Sequence, residues 1–72
     1  MIAITVYTSY GTKTEYVAVS EIARISEVGP HSGRYRSVVR MKDGGLLECE
    51  ETAQEIARMV QQEIHGQAGH QG

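Results

Sequence analysis

The sequence has no tryptophan and no phenylalanine, and it has one proline and one cysteine among 72 residues. Without those large rings a core must be aliphatic, helped by some of the four tyrosines. The single cysteine, Cys49, excludes an intrachain disulfide and fits a reducing compartment. On an apolar strand it reads as a small buried hydrophobe rather than a reactive thiol. No apolar run approaches the roughly 20 residues needed to cross a bilayer, so no membrane partner is expected. Met1-Ile2-Ala3-Ile4-Thr5 lacks the basic region and cleavage site of a signal peptide, and the expected location is cytoplasmic. A net charge of −2 gives no global attraction to nucleic acid or to anionic lipid.

What is present is organised around Val38 to Cys49. Two apolar-rich runs flank Asp43-Gly44-Gly45, a β-hairpin signal in which glycine supplies the positive φ of a tight turn. A two-residue loop mixes charged and apolar groups on both faces. A three-residue loop Asp43-Gly44-Gly45 separates them, pairing Met41 with Leu47, Val39 with Cys49 and Arg40 with Glu48, with Gly45 in the left-handed position.

Ile2, Ile4 and Val6 alternate on a first strand. A turn around Gly11 leads to a second strand, Thr14 to Val19, with Val17 and Val19 inward and Tyr16 outward. Ser20 has N-cap chemistry for one helical turn. Ala23 to Val28 is a third strand anchored by Ile25, Gly29 to Gly33 a loop, Tyr35 to Lys42 a fourth strand and Leu46 to Glu50 a fifth. Thr52-Ala53-Gln54-Glu55 is a capping box. Behind it Ala53, Ile56, Ala57, Val60 and Ile64 form an apolar stripe at helical spacing. Gly66 is the expected helix stop. The expected architecture is α+β: five short antiparallel strands in a bent sheet or small open barrel, with one C-terminal amphipathic helix packed on it. Residues 1–65 form the compact domain and 66–72 a disordered tail. Ile4, Val6, Ile25, Val39, Met41, Leu47, Ile56 and Val60 are its expected core.

Met1-Ile2, Ile4-Thr5, Gly11, the Ile22-x-x-Ile25 pair followed by Glu27, the Val39-x-Met41-x-Asp43-Gly44 turn, and Glu51 ahead of the Ile56-bearing helix make the chain similar to the FlbD/SwrD type of small flagellum-associated protein. The likeness runs to about Gln62. It departs at the longer Gly29 to Tyr35 loop and at Tyr10-Gly11, where that family carries Asn-Gly. The resemblance implies a small accessory protein of bacterial or phage origin and brings no catalytic residues with it.

Catalytic, cofactor and metal motifs are missing from the sequence. His31, His65 and His70 have no cysteine or carboxylate at a metal-ligand spacing. There is no Gly-x-Ser-x-Gly, and Asp43-Gly44-Gly45 joins two strands rather than cradling a phosphate at a helix start. Arg34, Arg36, Val38, Arg40 and Lys42 occupy alternate positions and share one strand face. Nucleic-acid contact through Arg34, Arg36, Arg40 and Lys42 is the second hypothesis; a solvated face neutralised by Glu48 and Glu50 weighs against it. The first hypothesis is a non-enzymatic protein-interaction module that self-associates. Thr5, Tyr16, Val38 and Leu46 are the candidate self-association residues, and an edge, either the uncharged first strand or the irregular third strand, pairs with or packs on a second copy in a symmetric homodimer.

Overall fold

A computed structural model describes residues 1–29 and 35–69, with side chains through Gly66. The elements are β1 Ile2–Thr8, β2 Gly11–Val17, a 3-10 turn Val19–Glu21, β3 Ile22–Glu27, β4 Ser37–Met41, β5 Leu46–Cys49 and α1 Ala53–Gly69. The fold is α+β: five antiparallel strands in one open sheet, with a single C-terminal helix packed on it.

The strand order is β2-β1-β5-β4-β3, so the edges are β2 and β3. These two edges are consecutive in sequence. Four gaps in a flat sheet would separate them by about 19 Å. The Val17 to Ile22 connection includes a 3-10 turn rising only about 2 Å per residue, so its reach is nearer to 13 Å. The sheet therefore curls, bringing its edges together at the end of the connection. Lys42 N–H donates to the Glu21 carbonyl at 2.8 Å, which ties that turn to the end of β4.

The concave face collects the residues that the alternation predicts. Ile4 (1% exposed), Val39 (0%) and Ile56 (0%) are at its centre, with Ile2, Val6, Val17 and Cys49 also buried. Ile25, Met41, Leu47 and Val60 are partly buried and pack against that cluster. α1 lies over β3 and β1. Its first turn is closed reciprocally: Thr52 N–H donates to Glu55 Oε1 at 2.9 Å, and Glu55 N–H to Thr52 Oγ1 at 3.1 Å.

Several local expectations need correction. β1 is interior, paired with β2 along its whole length and with β5 at Val6–Cys49. A first-strand edge for self-association through Thr5 does not exist in this topology. The β4–β5 loop is Lys42-Asp43-Gly44, not Asp43-Gly44-Gly45. Met41 N–H donates to the Gly45 carbonyl at 2.8 Å and Gly44 N–H to the Met41 carbonyl at 3.0 Å. Gly44, with φ of 95°, takes the left-handed position assigned above to Gly45. This is a type I turn followed by a bulge. The pairs become Val39–Leu47, Ser37–Cys49, Val38–Glu48 and Arg40–Leu46. The register moves by two residues, so Arg40 stays outside but no longer faces Glu48.

The single helical turn is Val19–Glu21, and its N-cap is Ala18 without a side-chain bond, so Ser20 caps nothing. The helix passes Gly66 and reaches Gly69; residues 70–72 lie outside the described residues. The stripe is rotated: Met59 packs on the core, whereas Ala57 is exposed and Ile64 is 50% exposed. Glu63 lies at the edge of the covered side, and the Met1 ammonium donates to its carboxylate.

Candidate interaction surface

The convex face of the sheet is built by the alternate residues of each strand. β4 contributes Arg36, Val38 and Arg40, and β5 contributes Leu46 and Glu48, with Glu50 just beyond its end. β3 contributes Arg24 and Ser26, since Arg24 pairs with Arg40 and Ser26 with Val38. Ala23 is set out of register at a bulge between Ile22 and Arg24. Opposed residues of an antiparallel ladder share a face with Cβ atoms about 5 Å apart. One row across the sheet thus reads Arg24–Arg40–Leu46, and the next reads Ser26–Val38–Glu48.

Arg24, Arg36 and Arg40 are all exposed. The ion pairs among the described residues are Met1–Glu63 and Lys13–Glu15, so Arg24 and Arg40 have no acid partner there, whereas Arg36 stands near Glu50, Glu51 and Glu55 and helps to lower the Glu55 pKa. Arg24 and Arg40 stand directly opposite each other, an arrangement that by itself destabilises a sheet. Lys42, in the loop, is across from Glu21, whose carbonyl it holds through the backbone. Arg34 lies outside the described residues. Of the four basic residues proposed from the sequence, Arg36 and Arg40 share the face, Lys42 borders it, and Arg24 is the residue that was missed. Its outward position was visible from Ile25 pointing inward. Its partner residue was not, because the β3–β4 register depends on the bulge at Ala23.

The self-association candidates are dispersed. Leu46 (57% exposed) and half-buried Val38 adjoin the Arg pair; Tyr16 (69% exposed) is on β2, at the far edge, and Thr5 lies between them on β1. The two edges also differ. On β2, Lys13 and Glu15 oppose Val6 and Ile4, so these charges point toward the concave side, where they pair with each other at 3.3 Å. Inward charge on an edge strand deters added strands. β3 carries one such charge, Glu27, which opposes buried Ser37, while Ala23, Arg24 and Ser26 are exposed. Val28 N–H donates to the Arg36 carbonyl at 3.1 Å. By the ladder's alternation the backbones of Ser26 and Arg24 also turn toward β4, and those of Ile25 and Glu27 face the open edge.

The remaining polar groups are structurally engaged. A depression of about 350 Å³ is lined by Arg36, Glu50, Glu51 and Glu55. Glu51 accepts from Thr5 N–H, and Glu55 belongs to the capping box. Ser37 is buried, and its hydroxyl donates to the Glu51 carbonyl at 2.8 Å. Burial pushes the Cys49 thiol up, against a smaller opposing effect of the Ser37 hydroxyl. His65 is exposed on α1; His31 and His70 lie outside the described residues. No grouping of metal-ligating side chains occurs among the described residues, and no helix there is long and apolar enough to cross a membrane.

No family model matches this chain, and neither the curated proteins nor the solved structures searched contain a match.

Proposed function

We propose that the chain is a small non-enzymatic accessory module that holds a protein partner on the convex face of its sheet. The observation that carries this reading is the state of the two faces. The concave side is filled by aliphatic residues under α1, whereas the convex side retains Leu46 and Val38 beside Arg24 and Arg40, which have no acid partner among the described residues. An apolar centre bordered by arginine is the chemistry of a protein-binding patch. Burial of the Cys49 thiol, which raises its pKa, argues against that side chain as a nucleophile. The resemblance to flagellum-associated proteins points toward an accessory role in a bacterial cytoplasm.

A nucleic-acid partner is the second reading, favoured by the addition of Arg24 to Arg36 and Arg40. Against it stand Glu48 and Glu50 in the next column and the net charge of −2. A homodimer through an edge is disfavoured because β2 carries inward charge and because self-pairing of β3 would bring the Arg24–Arg40 pairs of two copies onto one face.

The test is retention of a discrete partner from a lysate of the source cells by the full chain, tethered at its C-terminus. Leu46→Lys and Arg40→Glu should each abolish retention, and Gln62→Lys, on the helix, should not. Survival of retention through nuclease treatment is expected. Loss on nuclease treatment selects the second reading, and equal retention by all variants removes the convex face from consideration.

A further inference from the structure

The geometry points to an acidic, extended segment of a partner protein as the ligand, lying beside edge strand β3 with a carboxylate held between Arg24 and Arg40. The inference rests on the interaction-module reading and specifies the chemistry of its partner.

Three observations lead to it. First, Arg24 and Arg40 are directly opposed, exposed and without an acid among the described residues. Two planar guanidinium forks side by side can share one carboxylate through charge-assisted hydrogen bonds, relieving their mutual repulsion. Second, β3 is a sheet edge on which the Ile25 and Glu27 backbones face outward, and its outward side chains are Arg24 and Ser26. A segment that adds a strand there gains main-chain hydrogen bonds. It also brings every second side chain over the row that holds Arg24, Arg40 and Leu46 or the row that holds Ser26 and Val38. A carboxylate therefore lines up with the first row, and an apolar neighbour two positions away lines up with the second, against Ser26 with Val38 one strand further in. Third, the acidic column Glu48 and Glu50 lies on β5, beyond β4. It allows one or two discrete carboxylates at the β3 edge but opposes a phosphodiester chain crossing the face, which repeats its charge at every residue. The acidic and apolar run Leu46 to Glu50 of a second copy is not available as such a segment, because it is locked between β4 and β1.

The experiment is a titration of the full isotope-labelled chain, followed by amide chemical shifts, with three probes. These are an end-blocked peptide of Glu-Thr-Val-Thr repeats, which sets Glu and Val two positions apart on one face, its Gln-for-Glu counterpart, and a single-stranded oligothymidylate of equal charge. The Glu peptide should saturate and shift the amides of Arg24, Ile25, Ser26 and Glu27. The Gln peptide should bind about tenfold more weakly, as expected for loss of a charge-assisted hydrogen bond. The doubly substituted Arg24→Ser, Arg40→Ser chain, checked for an otherwise unchanged spectrum, should lose the same factor. No saturation, shifts confined to residues away from β3, or equal binding of the Gln peptide overturns the inference. Tighter binding of oligothymidylate also overturns it, by making phosphate the ligand. If Leu46-dependent partner retention persists while the Glu peptide fails, only this inference falls; if both fail, the interaction-module reading falls with it.

Discussion

The carboxylate of Glu51 takes the place of a strand beside Thr5: the Thr5 amide donates to Oε1 and Oε2 at 2.9 Å each. One residue earlier, Glu50 N–H donates to the Thr5 carbonyl at 2.9 Å. β5 therefore leaves β1 at this point to enter α1, and a side chain finishes the ladder that the main chain abandons. Part-buried amides left without an acceptor cost about 1–3 kcal/mol. Glu51→Ala should destabilise the domain by that amount in denaturant titrations and speed amide exchange at Thr5. Glu51→Gln, which keeps one acceptor oxygen, should recover most of the loss. Equal stability of Glu51→Ala and wild type would contradict the contact.

The hairpin loop gives a second expectation. Gly44 has φ of 95°, whereas a Cβ at Gly45 would stand 3.1 Å from Asp43 Oδ1 and otherwise meet only Met41 carbons at 3.9 Å or more. Gly44→Ala should cost about 1 kcal/mol or more through backbone strain. Gly45→Ala should cost less, since the Asp43 side chain that accepts from Gly45 N–H can shift by a few tenths of an ångström. Thermal melts of the two variants in parallel decide the order.

This turn also marks how far the sequence alone reaches. Asp43-Gly44-Gly45 offers two adjacent residues able to adopt positive φ, and nothing local chooses between them. The choice slides the register by two, which preserves faces and changes partners. Val39 is inward and Arg40 outward either way, yet Arg40 loses Glu48 and gains Leu46. Faces were legible because they depend on alternation. Strand order was not, because β1 joins β5 through pairing at Val6–Cys49, a contact between distant parts of the chain. The opposition of Arg24 and Arg40 depends on the β3–β4 register, which the bulge at Ala23 shifts by one, and so the candidate site was only half visible.

The helix shows the same division. The capping box was readable from Thr52 and Glu55, but the width of the covered stripe depends on where the sheet ends. Ile56 is fully buried and Ile64 half exposed. Ile56→Ala should cost about 2–5 kcal/mol, a large part of the stability of so small a domain. Ile64→Ala should stay within about 0.5 kcal/mol of wild type. Comparable losses at both positions would mean that α1 docks along its full length.

Acidification probes the start of that helix. The Thr52 amide, bonded to the Glu55 carboxylate, holds its pKa below the usual value, with the Thr52 side chain assisting. A carboxyl with a lowered pKa in the folded state stabilises the fold at pH values above its unfolded pKa, about 4.3 for Glu. That contribution disappears as the pH falls through the lower folded value. Wild type should therefore lose stability relative to Glu55→Gln on going from neutral pH to below the carboxylate range. A stability difference independent of pH would show that the Glu55 charge does not support the cap.

The last expectation sets stability against binding at the Arg pair. Like charges directly opposite in a ladder are destabilising, and an opposite-charge pair contributes roughly 0.2–1 kcal/mol. Arg24→Glu replaces repulsion at Arg40 with attraction, at an exposed position where the backbone conformation need not change. The variant should melt higher than wild type. It should also lose affinity for an acidic segment, because its new carboxylate competes for Arg40 and repels the incoming one. Removing the charge with Arg24→Ser should lie between the two in stability. If Arg24→Glu instead melts at or below the wild-type temperature, the two guanidinium groups do not repel each other in the folded chain. An external anion would then have no repulsion to relieve.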